Sequence, residues 1–253
     1  MSQLAAEDGW DSTADPTQQA LGREITHHDT VAGQAHPLLE SSGSATLPAA
    51  GGALMQTPLY ALPAFLATLP VDAPAPLSFA QEHMWLLHHL QAENITCHVE
   101  LTVRLVGELS LPALERSLQE LVRRHTSLRT RIVMAGDGPL QMVAGGTRPL
   151  LAVQELAGRR QELAHHLCES LQAPFDLEDG ALLRAVLYQL AANEHVLQVV
   201  AHPVAADAAS LEVLLHDLAA LYSAFVQEQP SPLAALPFQY RDYAGWERAS
   251  SHA

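Results

Sequence analysis

The sequence predicts an α/β fold, a single lobe with a mixed β-sheet and helices packed against it, preceded by an acidic tail. Three features predict it. Stretches with an apolar helical period, such as "SLPALERSLQELVRRH", interleave with stretches of period two, such as "CHVELTVRLVG". Turn residues separate neighbouring strand-like runs, so hairpins must occur among the strands. Helices interleaved with strands, and hairpins among the strands, imply a sheet of both strand senses with helices laid on it. With 253 residues, 48% of them hydrophobic, the chain can bury one good-sized core.

Taken in order, residues 1–76 are acidic and rich in Ala, Ser, Thr, Gly and Pro, with Arg23 as their one arginine and no sustained period, which predicts a largely disordered extension or linker. Within it, "ALMQTPLYALPAFLATLP" (Ala53 to Pro70) is apolar enough to form a short helix or dock on something, but its prolines prevent a long helix. The lobe is expected over residues 77–253. Ser78 can N-cap a helix through "FAQEHMWLLHHL". Val99, Leu101, Val103 and Leu105 then alternate with His98, Glu100, Thr102 and Arg104 as in a half-buried strand. Ser110 as N-cap and Pro112 in the first turn open an amphipathic helix with Leu111, Leu114, Leu118, Leu121 and Val122 on one face. "LRTRIVMA" and "PLQMVAG" flank "GDG" as a hairpin, and "LLAVQEL" leads into a helix from about Arg159 to Leu171. Two further strands, "ALLRAVLYQL" and "EHVLQVVAH", precede a helix carrying Leu211, Leu214, Leu215, Leu218, Leu221, Tyr222 and Phe225.

Charge narrows the partners. The formal net charge is −15, and there is no lysine among the 13 cations. Scattered arginines do not make a phosphate-binding surface, so no nucleic acid is expected, and Schiff-base and P-loop chemistry lack their lysine. The N-terminus does not resemble a signal peptide and no uninterrupted apolar run reads as a membrane span, so a cytoplasmic protein with no membrane partner is expected. Cys97 and Cys168 lack metal-like spacing and read as reduced core thiols. The adjacent pairs His88–His89 and His165–His166 point in different directions on a helix and read as surface or interface positions, with no metal expected.

Three fragments resemble motifs of the condensation domains of nonribosomal peptide synthetases. "LSFAQEHMWLL" is similar to their first motif through Ser78, Gln81 and Trp85, and "RRHTSLRTRI" to their second through Arg124, His125 and Arg129. "YRDYAGW" is similar to their fourth through Tyr240, Asp242 and Trp246, and the resemblance runs from about Leu77 to Arg248. It implies the N-terminal of two lobes, each like a chloramphenicol acetyltransferase subunit, with a tunnel between them. It implies also that carrier proteins bring phosphopantetheine-bound acyl and aminoacyl groups together for amide formation. The peptidyl or acyl carrier protein is then the expected partner, and its phosphopantetheine arm a substrate tether, with no cofactor bound directly.

The family's third motif, His-His-x-x-x-Asp-Gly, lies at the tunnel midpoint, and its second histidine is the one tied to catalysis. An imidazole suits that task because its pKa lies near the working pH. Aligned by its helix, "HPVAADA" puts His202 at the first histidine, Pro203 at the second, Asp207 at the aspartate and Ala208 at the glycine. The motif is degenerate, because proline has no proton-transfer group and fixes its own φ. A slip of one residue would make His202 the second histidine but would move Ala206 to the aspartate position. In the first register His202 reads as a structural histidine and Asp207 as a helix N-cap. His125 reads as a helix-end residue favoured by the dipole, and Asp242 as a polar anchor.

The sequence ends at Ala253, where the family continues into its second lobe. Two classes follow. One is a half module of nonribosomal peptide or hybrid polyketide–peptide biosynthesis, inactive alone, whose second lobe another polypeptide could supply. The other is a non-catalytic docking module that recruits a carrier protein or a tailoring enzyme.

Overall fold

The computed structural model describes residues 25–26, 68–90, 98–136, 138–145 and 150–251. The tail proper, most of "ALMQTPLYALPAFLATLP" and Cys97 lie outside the described residues. In chain order the elements are β1 (Ile25–Thr26), β2 (Ala75–Pro76), α1 (Phe79–Leu90), β3 (Val99–Val106), α2 (Leu111–Arg124), β4 (Thr130–Ala135) and β5 (Gly138–Val143). They continue with β6 (Leu151–Glu155), α3 (Leu163–Gln172), β7 (Leu183–Ala191), β8 (Glu194–Ala201), α4 (Ala208–Val226) and α5 (Tyr240–Ser250).

Five strands form one sheet in the order β1-β3-β8-β7-β6. All its pairs are antiparallel except β6 with β7, which α3 joins as a crossover, so the sheet is mixed. The central strands β7 and β8 are buried on both faces, which is why they read as almost continuous apolar runs. On one face Leu101, Val103, Leu105, Leu187, Leu197 and Val199 pack against Leu114, Leu118 and Leu121 of α2 and Leu211, Leu214 and Leu218 of α4. On the other face Val186, Tyr188, Leu190 and Val196 meet Leu163 and Leu167 of α3.

The expected hairpin forms, but it leaves the main sheet. Strands β4 and β5 pair with β2 in a separate three-stranded sheet. Its buried side chain Ile132 joins Leu77, Leu177, Leu182 and Val204 in a second small core. This sheet draws in chain that precedes Leu77. Ala75 pairs with Gln141, the Leu69 amide donates to Asp242 Oδ1 at 2.8 Å, and Arg241 donates to the Val71 carbonyl at 2.5 Å and to the Ala73 carbonyl. The boundary expected at residue 77 therefore falls inside packed structure, because backbone groups from Leu69 onward are hydrogen-bonded to the lobe.

Two further expectations need correction. Cys168 is an exposed free thiol on α3 and not a core residue. Helix α4 is long and apolar enough to span a membrane by length and composition. Here Leu211, Leu214, Leu218, Leu221, Tyr222 and Phe225 of that helix are buried in the core, so its apolarity is that of a packed helix.

Candidate functional site: the turn after β8

Strand β8 carries its ladder one residue past Ala201, with the His202 amide donating to the Leu182 carbonyl at 3.0 Å. The His202 carbonyl then accepts from the amides of Ala205 at 2.9 Å and Ala206 at 3.3 Å, closing a tight turn. Pro203 is the second residue of that turn, a position that suits its fixed φ. Asp207 ends the turn as N-cap of α4, accepting from the Ser210 amide at 2.8 Å and the Ser210 hydroxyl at 2.6 Å. Those two hydrogen bonds hold its carboxyl below the usual carboxylate range. Ala208 is the first residue of the helix and is exposed.

The His202 side chain is fully buried, at 0% exposure. Its Nδ1 lies 3.1 Å from the Val204 amide nitrogen. An amide nitrogen only donates, so Nδ1 supplies the lone pair and the proton of the neutral ring is on Nε2. Among the described residues Nε2 is buried with no hydrogen-bond partner. Burial, reinforced by the neighbouring His88 and His98 rings, pushes the His202 pKa down to about 3. A general base needs an available lone pair and a pKa near the working pH. His202 offers neither.

The surroundings of this ring escaped sequence reasoning. His88 meets it edge-on at 5.3 Å between centroids, His98 lies at 5.8 Å and Phe175 at 6.0 Å. His98 Nδ1 donates to the Leu171 carbonyl at 2.7 Å, and Arg184 lies 4.0 Å over the Phe175 ring. Burial lowers the pKa of His88 and of His98, and takes Arg184 down to about 10. His88 was expected at a surface or interface position. It instead turns inward while its exposed neighbour His89 turns out, as adjacent helical residues must. His98 was read only as the polar partner of a strand alternation. These residues are far apart in sequence, so no local signal could have joined them.

Elsewhere, His165 and His166 pair with Glu169 at 3.3 Å on α3, and among the described residues no group of three or more His, Cys, Asp or Glu could hold a metal ion.

The other motif residues form a frame behind the turn. Ser78 and Gln81 cap α1 reciprocally, the Gln81 amide donating to Ser78 Oγ at 3.1 Å and the Ser78 amide to Gln81 Oε1 at 3.0 Å. Gln81 Nε2 also donates to the Val204 carbonyl at 3.4 Å, which ties α1 to the turn. Trp85 packs on the small core that contains Val204. The Ser78 and Tyr240 hydroxyls are 3.0 Å apart. Arg124 and His125 share Asp217 Oδ2, at 3.1 and 3.0 Å, and His125 is the C-cap of α2. Arg129 donates to the Ala144 carbonyl at 2.8 Å, and burial lowers its pKa. Asp242 accepts from the Gln239 and Leu69 amides, each at 2.8 Å. Trp246 continues a ring series through Tyr243 to Tyr240. Apart from the turn itself, the polar atoms named here bond helix ends, loop backbone or each other.

Comparison with known proteins places this geometry. A family model described as "Condensation domain" matches residues 71–253. A linear gramicidin synthase polypeptide of Brevibacillus parabrevis is 39% identical over 188 residues, covering 71% of this chain and 4% of that protein. Chondramide synthase cmdD of Chondromyces crocatus is 36% identical over 184 residues, covering 71% of this chain and 5% of that protein. The chain thus spans a small fraction of the curated relatives it matches. Among solved structures, the X-domain from teicoplanin biosynthesis is 31% identical with a TM-score of 0.68, covering 74% of this chain and 40% of that one. The X-domain in complex with OxyB from teicoplanin biosynthesis matches at 32% identity and a TM-score of 0.66, over 73% of this chain and 40% of that one.

Proposed function

The chain belongs to the condensation-domain family, and from that premise we propose that it is a recognition lobe of nonribosomal peptide biosynthesis that binds a carrier protein without supplying the imidazole of the family's amide-forming step. The observation that carries this reading is the state of the turn. Proline stands next to a histidine whose lone pair is taken by the Val204 amide and whose pKa is about 3. The N-cap geometry of Asp207 supports the register in which Pro203, and not His202, stands at the second histidine of the motif. In the alternative register His202 would be the base, and a ring so buried is a poor one.

The substrate in this reading is the phosphopantetheine arm of a peptidyl or acyl carrier protein, held but not processed. Titration of the chain with a carrier protein in its phosphopantetheinylated and unmodified forms, followed by calorimetry, tests it. Saturable binding that tightens with the arm is expected. Equal failure of both forms to bind overturns the reading.

A second reading has one specific observation in its favour: the similarity to an X-domain solved in complex with OxyB. In that reading the lobe recruits another protein, such as a tailoring enzyme, and binding is independent of the arm.

A further inference from the structure

The two ends of α1 are held in different ways. At its start the reciprocal cap of Ser78 and Gln81, the Phe79 amide donating to Glu247 at 2.9 Å and Arg248 donating to the Leu77 carbonyl at 2.7 Å fix the first turn. Met84 and Trp85 then pack on the small core. In the last turn the half-buried His88 turns inward and meets the His202 ring edge-on. What it meets there is another imidazole, not an apolar side chain.

Three rings converge at that point, from α1, from the start of β3 and from the turn after β8. His88 Nδ1, His98 Nε2 and His202 Nε2 are all buried without a hydrogen-bond partner among the described residues. Buried polar atoms left in that state cost free energy, so the cluster is a weak joint. Two of its members are fixed from elsewhere, His202 by the ladder and turn bonds of its own backbone and His98 by the Leu171 carbonyl. The charged groups around the cluster are Arg184 of β7, which acts on His98, and His89 of α1 and Asp176 of the turn before β7, which act on His88. Asp176 favours a cation on His88, and the other two oppose one on the ring they face.

We propose that His88 is a pH-sensitive clasp: on taking a proton from water its ring leaves the His202 and His98 rings for solvent, releasing the last turn of α1 while the helix up to Trp85 stays bound. Inside the cluster a second positive charge near Arg184 is poorly solvated, whereas a released ring is hydrated and has the ordinary pKa of about 6.5. Burial and His89 hold His88 below that value in the closed form. Above about pH 6.5 the ring is neutral in both forms and the clasp is shut. As pH falls through that value the released form binds the proton more tightly, and opening gains up to about tenfold per pH unit.

Amide hydrogen exchange of the full chain at pH 7.5 and pH 5.5, corrected for the intrinsic rate, tests this. Protection over residues 86–90 should fall about five- to tenfold, the span that one proton supplies over those two pH units. Protection of Leu114 to Leu121 in α2 should stay at least about tenfold higher at both pH values, because the opening is local. His88→Gln, which cannot titrate, should reduce the fall to less than about twofold, and His89→Gln should keep it. In the unaltered chain the NMR signals of the His88 ring should titrate in step with the loss, a readout that does not depend on how the variant folds. A fall of equal size in a folded His88→Gln overturns the proposal. So does no fall in the unaltered chain, equal protection in α1 and α2, or a His88 ring that stays neutral while protection is lost.

Discussion

Moving the His202 imidazole from water into the core removes the solvation its cation needs, while the one hydrogen bond it gains goes to the lone pair of the neutral ring. Both effects favour the neutral form, and the result is a pKa near 3. The consequence for stability has a definite sign. Below the unfolded pKa of about 6.5 the unfolded chain takes up a proton that the folded chain refuses until about pH 3, so stability is full above that range and falls as pH falls through it. The slope from this one group is up to about 1.4 kcal/mol per pH unit. His202→Asn keeps a short polar acceptor near the Val204 amide without a titrating group. Its melting temperature should decline less than that of the unaltered chain between pH 7 and pH 4.5, and parallel curves for the two proteins would remove His202 as the cause. What the sequence made legible here was the turn itself and its N-cap, because His202, Pro203 and Asp207 lie within one short stretch. The convergence of His88, His98 and Phe175 on that ring was not legible, since it depends on how α1, β3 and the turn before β7 meet in space.

The elements were legible where pattern and caps agreed. Helix α2 starts at Leu111 behind Ser110, whose Oγ accepts from the Ala113 amide at 3.4 Å, as its spacing predicted. Helix α5 was not read as a helix, because its inward residues are Arg241, Asp242 and Ala244 and not an apolar stripe. It is held by polar atoms instead. Gln239 Oε1 accepts from the Thr126 amide and hydroxyl at 3.0 and 2.9 Å, and its Nε2 donates to the Arg124 carbonyl at 3.1 Å. Removing that side chain strips partners from half-buried groups on two elements, so Gln239→Ala should cost about 1–3 kcal/mol in denaturant unfolding. A second element-level prediction concerns Gly180, which has φ +81° and whose added Cβ would lie 3.1 Å from the Ala144 side chain and 3.3 Å from that of Arg131. Gly180→Ala combines backbone strain with that contact and should destabilise by more than about 1 kcal/mol. Gly136, also at positive φ but with open space around it, should tolerate alanine better, and equal losses at the two sites would contradict this reading.

At the scale of the whole molecule, the motif residues hold one frame together. Ser78 with Tyr240, Gln81 with Val204, and Gln239 with Thr126 link the four motif regions through hydrogen bonds of 2.9–3.4 Å. In the proposed reading, such a frame lets a lobe keep the architecture of its family while one loop residue alters the chemistry on offer. Packing and caps depend on many residues, whereas proton transfer depends on one imidazole. The hairpin's departure into its own sheet fits the same view, since it lets Leu77, Leu177 and Val204 pack behind the turn. In the proposed reading the turn after β8 sits in this frame without a working base. The most direct measurement is mass spectrometry of carrier-bound products after the chain is mixed with an acyl-loaded and an aminoacyl-loaded carrier protein, alongside His202→Ala. The expected result is no amide above the protein-free background in either sample. Turnover by the unaltered chain that His202→Ala abolishes would contradict the account and make His202 the catalytic residue.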